Sequence, residues 1–288
     1  MPYQSIFRPD LFAGQSIIVT GGGTGIGRCI AHELAALGAY IVLMGRRAEP
    51  LQTVAAEIQE DGGRAGWETV DIRDEQAVTD TVARVVDVRG QIHGLVNNAG
   101  GQFSLPIEQM NQKGFETVVR TNLVGGFLMS REVFKQSMKQ HGGSIVNITA
   151  DFQRGMPMMS HSGAARAAMD NFTKTAAIEW ASHGVRVNAV GPGFIASSGY
   201  DTYGDDEFRH TIAKLREWTL LKRDGTEAEV SSAVTFLLSD GAAYITGVSI
   251  PVDGGAPLIS VMMPNAPHDR SKPFNPFHRS VTPAILKG

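Results

Sequence analysis

Residues 15–27 read QSIIVTGGGTGIG, a β-branched run that passes straight into three consecutive glycines. The run predicts a strand over 15–20, and the apolar spacing that follows predicts a helix from Ile26 to about Leu37. Between them, Gly21, Gly25 and Gly27 free the backbone to turn tightly. With Gly23, Thr24 and Ile26 they form a cradle at a helix N-terminus, where a pyrophosphate is electrostatically favoured. The spacing is Gly-x-x-x-Gly-x-Gly rather than Gly-x-Gly-x-x-Gly.

The same alternation recurs along the chain. Strands are expected at 40–44 (YIVLM), from WETV at 67, in HGLVNN at 93–98, in SIVNIT at 144–149, in VRVNAV at 185–190 and in VSIPV at 248–252. Helical patterns separate them at about 49–60, 75–88, 115–139, 162–181 and 227–239. Near-continuous apolar strands divided by helices indicate a single α/β domain of the Rossmann type. Its doubly wound parallel sheet should have about seven strands, with helices on both faces. That domain is expected over 1–256. Residues 257–288 differ, with five prolines and no periodicity over 264–288. They read as an irregular extension lying on the body or on a neighbouring subunit, with a disordered tail as the alternative.

Composition narrows the function class. The 288 residues carry 26 basic and 29 acidic side chains, a net charge of −3, which gives no attraction to nucleic acid or anionic lipid. No apolar run approaches the roughly 18 residues of a membrane helix, and no secretory leader opens the chain. The single Cys29 excludes an internal disulfide framework and fits a reducing cytoplasm. No metal-ligand cluster is apparent. The 33 glycines concentrate in TGGGTGIG, NNAGG and VDGG, so they mark turns rather than a linker.

At the end of the second strand, an acidic residue would hold the ribose diol of NAD. This chain reads MGRR there, with Gly45 in the acid's place and Arg46 and Arg47 after it. A guanidinium binds a 2′-phosphate bidentately where a carboxylate would repel it, so NADP(H) is expected over NAD(H). The bland alternative is two solvated arginines at a helix start. Asp71 and Ile72, opening DIRD, are placed to receive an adenine, although Asp71 also suits a helix cap.

Taken together, TGGGTGIG, NNAG (97–100), TNLVGG with Asn122, PGFI (192–195) and ITGVSIPVDGG (245–255) resemble the short-chain dehydrogenase/reductase family. They stand in that family's order and spacing over about 14–255. HSGAARAAMDNFTK (161–174) with NNAGGQF is similar to the subgroup of trans-2-enoyl-CoA and 2,4-dienoyl-CoA reductases. The resemblance implies a nicotinamide cofactor and a homotetramer, built on helices 115–139 and 162–181. It places Asn97, Asn98, Ala99 and Gly100 along the cofactor's ribose, and Pro192, Gly193, Ile195 and Ser197 about its carboxamide. A soluble cytoplasmic setting is expected, since the terminal ILKG is not a peroxisomal tripeptide.

The catalytic pattern breaks. Family enzymes use Ser, Tyr and Lys, yet the Tyr slot here is Ser162, the Lys slot Arg166 and the Ser slot Ala150, with Thr149 beside it. Dienoyl-CoA reductases take a tyrosine from just after the fifth strand, where this chain has Phe152. Ser162 and Arg166 are i and i+4 on one helix face and can share a pocket. There Arg166 would hold ribose and temper negative charge, unless it pairs with Asp170 on the surface. His161 titrates near neutrality and is a candidate proton donor, or else caps or packs. Asp151 is an acid only if buried. Asn122 is expected to bond a loosened carbonyl and hold a water.

Residues 196–225 match the family's substrate lid, and Arg209, Lys214 and Arg216 there are candidates for coenzyme A phosphates. The expected reaction is NADPH-dependent reduction of an enoyl thioester, because an enolate is a weaker base than an alkoxide and survives without a strong acid. Two alternatives stand. One is carbonyl or alcohol chemistry with a non-standard acid, and the other is an NADP-binding pseudoenzyme.

Overall fold

Strand β1 (Ser16–Thr20) lies inside a parallel sheet, because both of its faces are apolar and both find a helical layer to cover them. The computed structural model describes residues 3–202, 211, 214–263 and 265–287. The other strands are β2 (Tyr40–Gly45), β3 (Arg64–Thr69), β4 (Gly94–Asn97), β5 (Gly143–Ile148), β6 (Val185–Pro192) and β7 (Ser249–Val252). They pair in the order β3-β2-β1-β4-β5-β6-β7, every pair parallel. Seven parallel strands with helices on both faces are what the alternating pattern predicts.

Side-chain alternation along β1 sorts the core into two layers. Ile17 and Val19 join the layer under helices Gly25–Ala36, Ala48–Glu60 and Glu227–Leu238. Ile18 joins the opposite layer, with Val42, Leu95, Ile145 and Met129. Chain order reverses between β1 and β4, which opens a crevice at the carboxyl ends of these two strands.

The helix expected over 115–139 runs as one rod through 112–141 but is not uniform. It is α-helical over Gln112–Val119 and Gly125–Val133, with π turns at Arg120–Val124 and Phe134–Met138. The first π turn is followed by Gly125 and Gly126, which permit close approach. A Cβ at Gly125 would stand 2.5 Å from Ile72 Cδ1, and one at Gly126 2.6 Å from Met169 Cε. π turns shift side-chain register by one residue and concentrate at working sites.

The C-terminal segment 265–287 lies on the body in irregular conformation. Phe277 is buried against Tyr3 and His32, and Arg279 pairs with Glu60 and Asp61. Among the described residues no helix is long and apolar enough to cross a membrane.

The contact between helices Gly25–Ala36 and Glu227–Leu238 buries two carboxyl groups. Burial raises Glu33 against the hydrogen bonds it accepts from Ser231, Ser5 and Tyr3, and it lifts Glu227, which has no such partner among the described residues, from 4.5 to about 7. A raised acid favours the fold in its protonated form. That stability is fully present below pH 4.5 and is lost as pH rises through 7, by about 3 kcal/mol at 1.36 kcal/mol per pH unit. Denaturant titrations from pH 4.5 to 8 should show Glu227→Gln losing about 3 kcal/mol less than the unmodified protein. Parallel curves would contradict the assignment.

Candidate active site

Two loops build the outer half of the site, and one threonine ties them together. Thr20 Oγ1, at the end of β1, accepts from the backbone N–H groups of Asn98 and Ala99 at 3.0 Å each and donates to Val96 O at 3.2 Å. Asn98 Nδ2 returns a bond to Thr20 O at 3.0 Å. Its side chain therefore braces the glycine turn. Gly21 and Gly25 adopt φ of +65° and +54°, which favours residues without a Cβ. Gly27 packs so closely that a Cβ would lie 2.3 Å from Gly21 O. The first turn of the following helix carries no acidic side chain, and Thr24 caps it through extended backbone alone. A helix N-terminus with no acidic side chain in its own first turn fits a pyrophosphate, and the nearest carboxyl, Glu227 Oε1, stands 3.8 Å from the Cβ position of Gly25.

At the end of β2, Arg46 and Arg47 are exposed, and neither is hydrogen-bonded among the described residues. A Cβ on Gly45 would find only ordinary contacts, the nearest being Leu51 Cδ2 at 3.4 Å. The lack of an acid there is thus a chemical choice and not a steric necessity. Asp71 accepts from Arg73 through both oxygens, at 2.8 Å to Nε and 2.5 Å to Nη2, and this grip holds its carboxyl down at about 2. Arg73 was not anticipated from sequence, and it adds a third guanidinium to the rim. Ile72 is buried beneath it.

The inner half is organised around Gly100 and Gly101. Asn122, buried in the first π turn, accepts from Gly101 N at 2.9 Å and donates to Gly101 O at 3.0 Å. Its amide clamps this loop, and the carbonyl that it bonds is the loop's own. Asn97 is also turned to structure: its Nδ2 donates to Ser130 at 2.7 Å and Asn147 at 2.8 Å inside the core. The side chain implied to line a ribose therefore serves the packing behind the cleft.

Arg166 enters from helix Ser160–Trp180. It donates to Ile148 O at 2.5 Å, and its Nη2 lies 2.5 Å from where a Gly100 Cβ would stand. Only glycine at 100 leaves room for it. The surface pair with Asp170 does not form, because Asp170 accepts from Lys174 at 2.7 Å. Among the described residues no carboxylate pairs with Arg166, and its buried Nε has no partner. Burial brings the guanidinium down to about 10, so it remains cationic at neutral pH.

The hydroxyl candidates are otherwise engaged. Thr149 donates to Val190 O at 3.1 Å and is a strand-pairing residue rather than an acid. Ser162 is buried and donates to Gln102 Oε1 at 2.6 Å, which makes Gln102 a site residue that sequence reasoning missed. His161 is fully buried, edge-on to Phe103 at 4.5 Å, with Nδ1 accepting from Ser162 N at 2.7 Å. Burial lowers its pKa, so the ring is neutral and sealed by packing. Asp151 is half-buried and its carboxyl is raised by burial and by Asp253.

The loop after β6 covers the cradle. A Cβ on Gly193 would meet Asp253 Cα at 2.7 Å, Ile195 is buried, and Ser198 Oγ lies 3.4 Å from the Cβ position of Gly25. Ser197 lies between them and receives the backbone of Tyr200 on its carbonyl at 3.0 Å. Pro192 ends β6, where its carbonyl accepts from Asp151 N at 3.1 Å. Lys214 and Arg216 are exposed, and Arg209 lies outside the described residues.

Residues 21–257 match a family model described as enoyl-(acyl carrier protein) reductase. Among curated relatives, the peroxisomal 2,4-dienoyl-CoA reductase of Danio rerio is 35% identical, covering 90% of this chain and 86% of its own. Among solved structures, the citronellol catabolism dehydrogenase of Pseudomonas aeruginosa is 59% identical with a TM-score of 0.80, covering 88% of this chain and 99% of that one. An NAD(P)-dependent gluconate 5-dehydrogenase of Beutenbergia cavernae, solved with NADP, is 30% identical with a TM-score of 0.81, covering 88% of this chain and 100% of its own. The glycine cradle, the seven-stranded sheet and a match of this extent lead to one conclusion: the chain belongs to the short-chain dehydrogenase/reductase family of NAD(P)-dependent oxidoreductases.

Proposed function

We propose that the protein reduces an α,β-unsaturated acyl thioester with NADPH. The observation that carries this reading is Arg166, a buried guanidinium without a carboxylate, in a site whose hydroxyls are committed elsewhere. Hydride addition to a ketone makes a strongly basic alkoxide, which needs an acid in the transition state. Addition at the β-carbon of an enoyl thioester places charge on an enolate oxygen, a weaker base that fixed donors hold until water protonates the α-carbon. Bound NADPH would supply the hydride. The protein's part is electrostatic. Arg166 lowers the cost of negative charge, and Ser162 is held beside it on the same helix by its bond to Gln102 Oε1. The similarity to dienoyl-CoA reductases supports this chemistry.

The geometry supports one placement of the cofactor. The run Gly21, Gly23, Thr24, Gly25, Ile26, Gly27 would hold the pyrophosphate, Asp71 and Ile72 the adenine, and Asn98, Ala99, Gly100 and Arg166 the nicotinamide ribose. Pro192, Gly193, Ile195 and Ser197 would close over the carboxamide. Arg46 and Arg47, with no acid at Gly45, support NADPH over NADH, and the NADP-bound relative agrees.

A second reading is favoured by the 59% identity to the citronellol catabolism dehydrogenase: oxidation or reduction at a branched terpenoid alcohol or aldehyde. Asp151, whose raised carboxyl would carry the proton, is the residue that such chemistry would use.

Two experiments test these readings. Arg46→Ala should weaken NADPH binding by roughly 10- to 100-fold, the worth of a charge-assisted contact. NADH binding should stay within twofold, and equal losses for both cofactors would overturn the preference. NADPH oxidation should be fastest with enoyl-CoA in a panel that includes ketoacyl-CoA and citronellal. Arg166→Met should then lose on the order of 100-fold in kcat and Ser162→Ala roughly 10-fold. Activity confined to citronellal or citronellol, abolished in Asp151→Asn, would establish the second reading instead.

A further inference from the structure

A cavity of about 450 Å³ lies between the loop that covers the cradle and the run 220–225, with Phe194, Ile195, Leu220, Leu221 and Val252 in its wall. Ile195 belongs both to this wall and to the loop, three residues before Ser198 at the N-terminus of the cradle helix. The lining is mostly apolar, with Arg223, Glu229 and Asp253 also in it, and such a space beside the cofactor end of the site suits the hydrocarbon part of a substrate.

The outer wall has little regular structure of its own. Leu220 and Leu221 both donate their N–H groups to Gly254 O, at 2.9 and 3.2 Å, and the helical turn Leu215–Trp218 precedes them. Apart from the bridge between Ile195 and Gly225 and the Arg223–Glu229 ion pair, its support comes from the C-terminal segment. Asn265 donates to Thr219 O at 3.1 Å, His268 Nε2 bonds Leu220 O at 2.9 Å, and Arg223 donates to Ser271 Oγ at 3.0 Å. Phe274 then takes a bond from Thr226 Oγ1 at 2.6 Å and gives one to Glu229 at 3.1 Å.

The far end of the segment is anchored on the body. Phe277 is 3% exposed, its ring 5.1 Å from that of His32, and the Arg28 guanidinium lies 5.2 Å from its centroid. Arg28 also donates to Arg279 O at 3.0 Å, while Arg279 pairs with Asp61 at 3.1 Å. A strap fixed at 277–279 and bonded to successive wall residues holds that wall in one place.

We propose that segment 265–279 is a brace that sets acyl-chain selectivity by holding residues 219–225 as the wall of an apolar chain subsite. The occupant is the saturated distal part of the acyl chain, so the proposal rests on the enoyl-thioester reading. A preformed wall spares the ligand the cost of ordering it, and that benefit grows with the length of chain laid against it. The brace is a positioning device and touches no reacting atom.

Phe277→Ala in the full-length protein tests it, with Phe277→Leu as the conservative variant. Hydrogen exchange at the Leu220 and Leu221 amides should quicken at least tenfold in Phe277→Ala, while amides of β1 and β4 stay unchanged. Calorimetric binding of decanoyl-CoA should weaken about tenfold and of butyryl-CoA less than twofold, and Phe277→Leu should restore most of both readouts. Unchanged exchange at 220 and 221, or equal weakening for the two chain lengths, would overturn the proposal. Should the unmodified protein bind neither thioester, the enoyl-thioester reading and the chain subsite fall together. The exchange result would then still decide whether the segment braces the wall.

Discussion

A cation removed from water without a counter-charge must be compensated by something, and in this protein that cation is Arg166. One carbonyl, Ile148 O, takes one of its five N–H donors. The rest of the inner site is shaped to let it stay. Gly100 has no Cβ to obstruct it, and Asn122 fixes the neighbouring Gly101 at both its N–H and its carbonyl. The amide of Asn122 reaches this loop because the helix relaxes into a π turn at Arg120–Val124. Charge, loop and helix defect form one arrangement, and its open end faces the crevice at the chain reversal.

That arrangement explains how a member of this family works without the family's tyrosine and lysine. The lysine's cation is retained as a guanidinium that stays charged and offers planar donors. No hydroxyl stands free in the tyrosine's place, since Ser162 donates its hydrogen bond to Gln102 and Thr149 donates its own to the sheet. What remains is a site strong in fixed positive charge and poor in acids, which favours chemistry that ends on a delocalised oxyanion.

The sheet was legible because its inner strands are covered on both faces, so their apolar runs are unbroken, and because the glycines stand where β1 meets its helix. The third strand was harder to read: Arg64–Thr69 alternates exposed with part-buried positions at the sheet edge, and only its end from Trp67 is apolar enough to notice. Local spacing misled in two places. Arg166 and Asp170 have the separation of a helical ion pair, but tertiary burial drew the arginine inward and Lys174 took the aspartate. The rod 112–141 has an unbroken helical pattern, and a π turn leaves no periodic mark beyond the glycines after it. Gln102 and the wall contacts of the C-terminal segment join residues about 50 or more apart, a relation that no local pattern encodes.

The central claim is that Arg166 is left uncompensated by protein so that a ligand can complete it. A crystal structure of the protein with NADP⁺ bound tests this most directly. The account predicts a ribose oxygen of the nicotinamide half within about 3 Å of the guanidinium, with Gly101 still clamped by Asn122. A protein carboxylate swung in to pair with Arg166, or a cofactor bound with no atom in reach of it, would contradict the account.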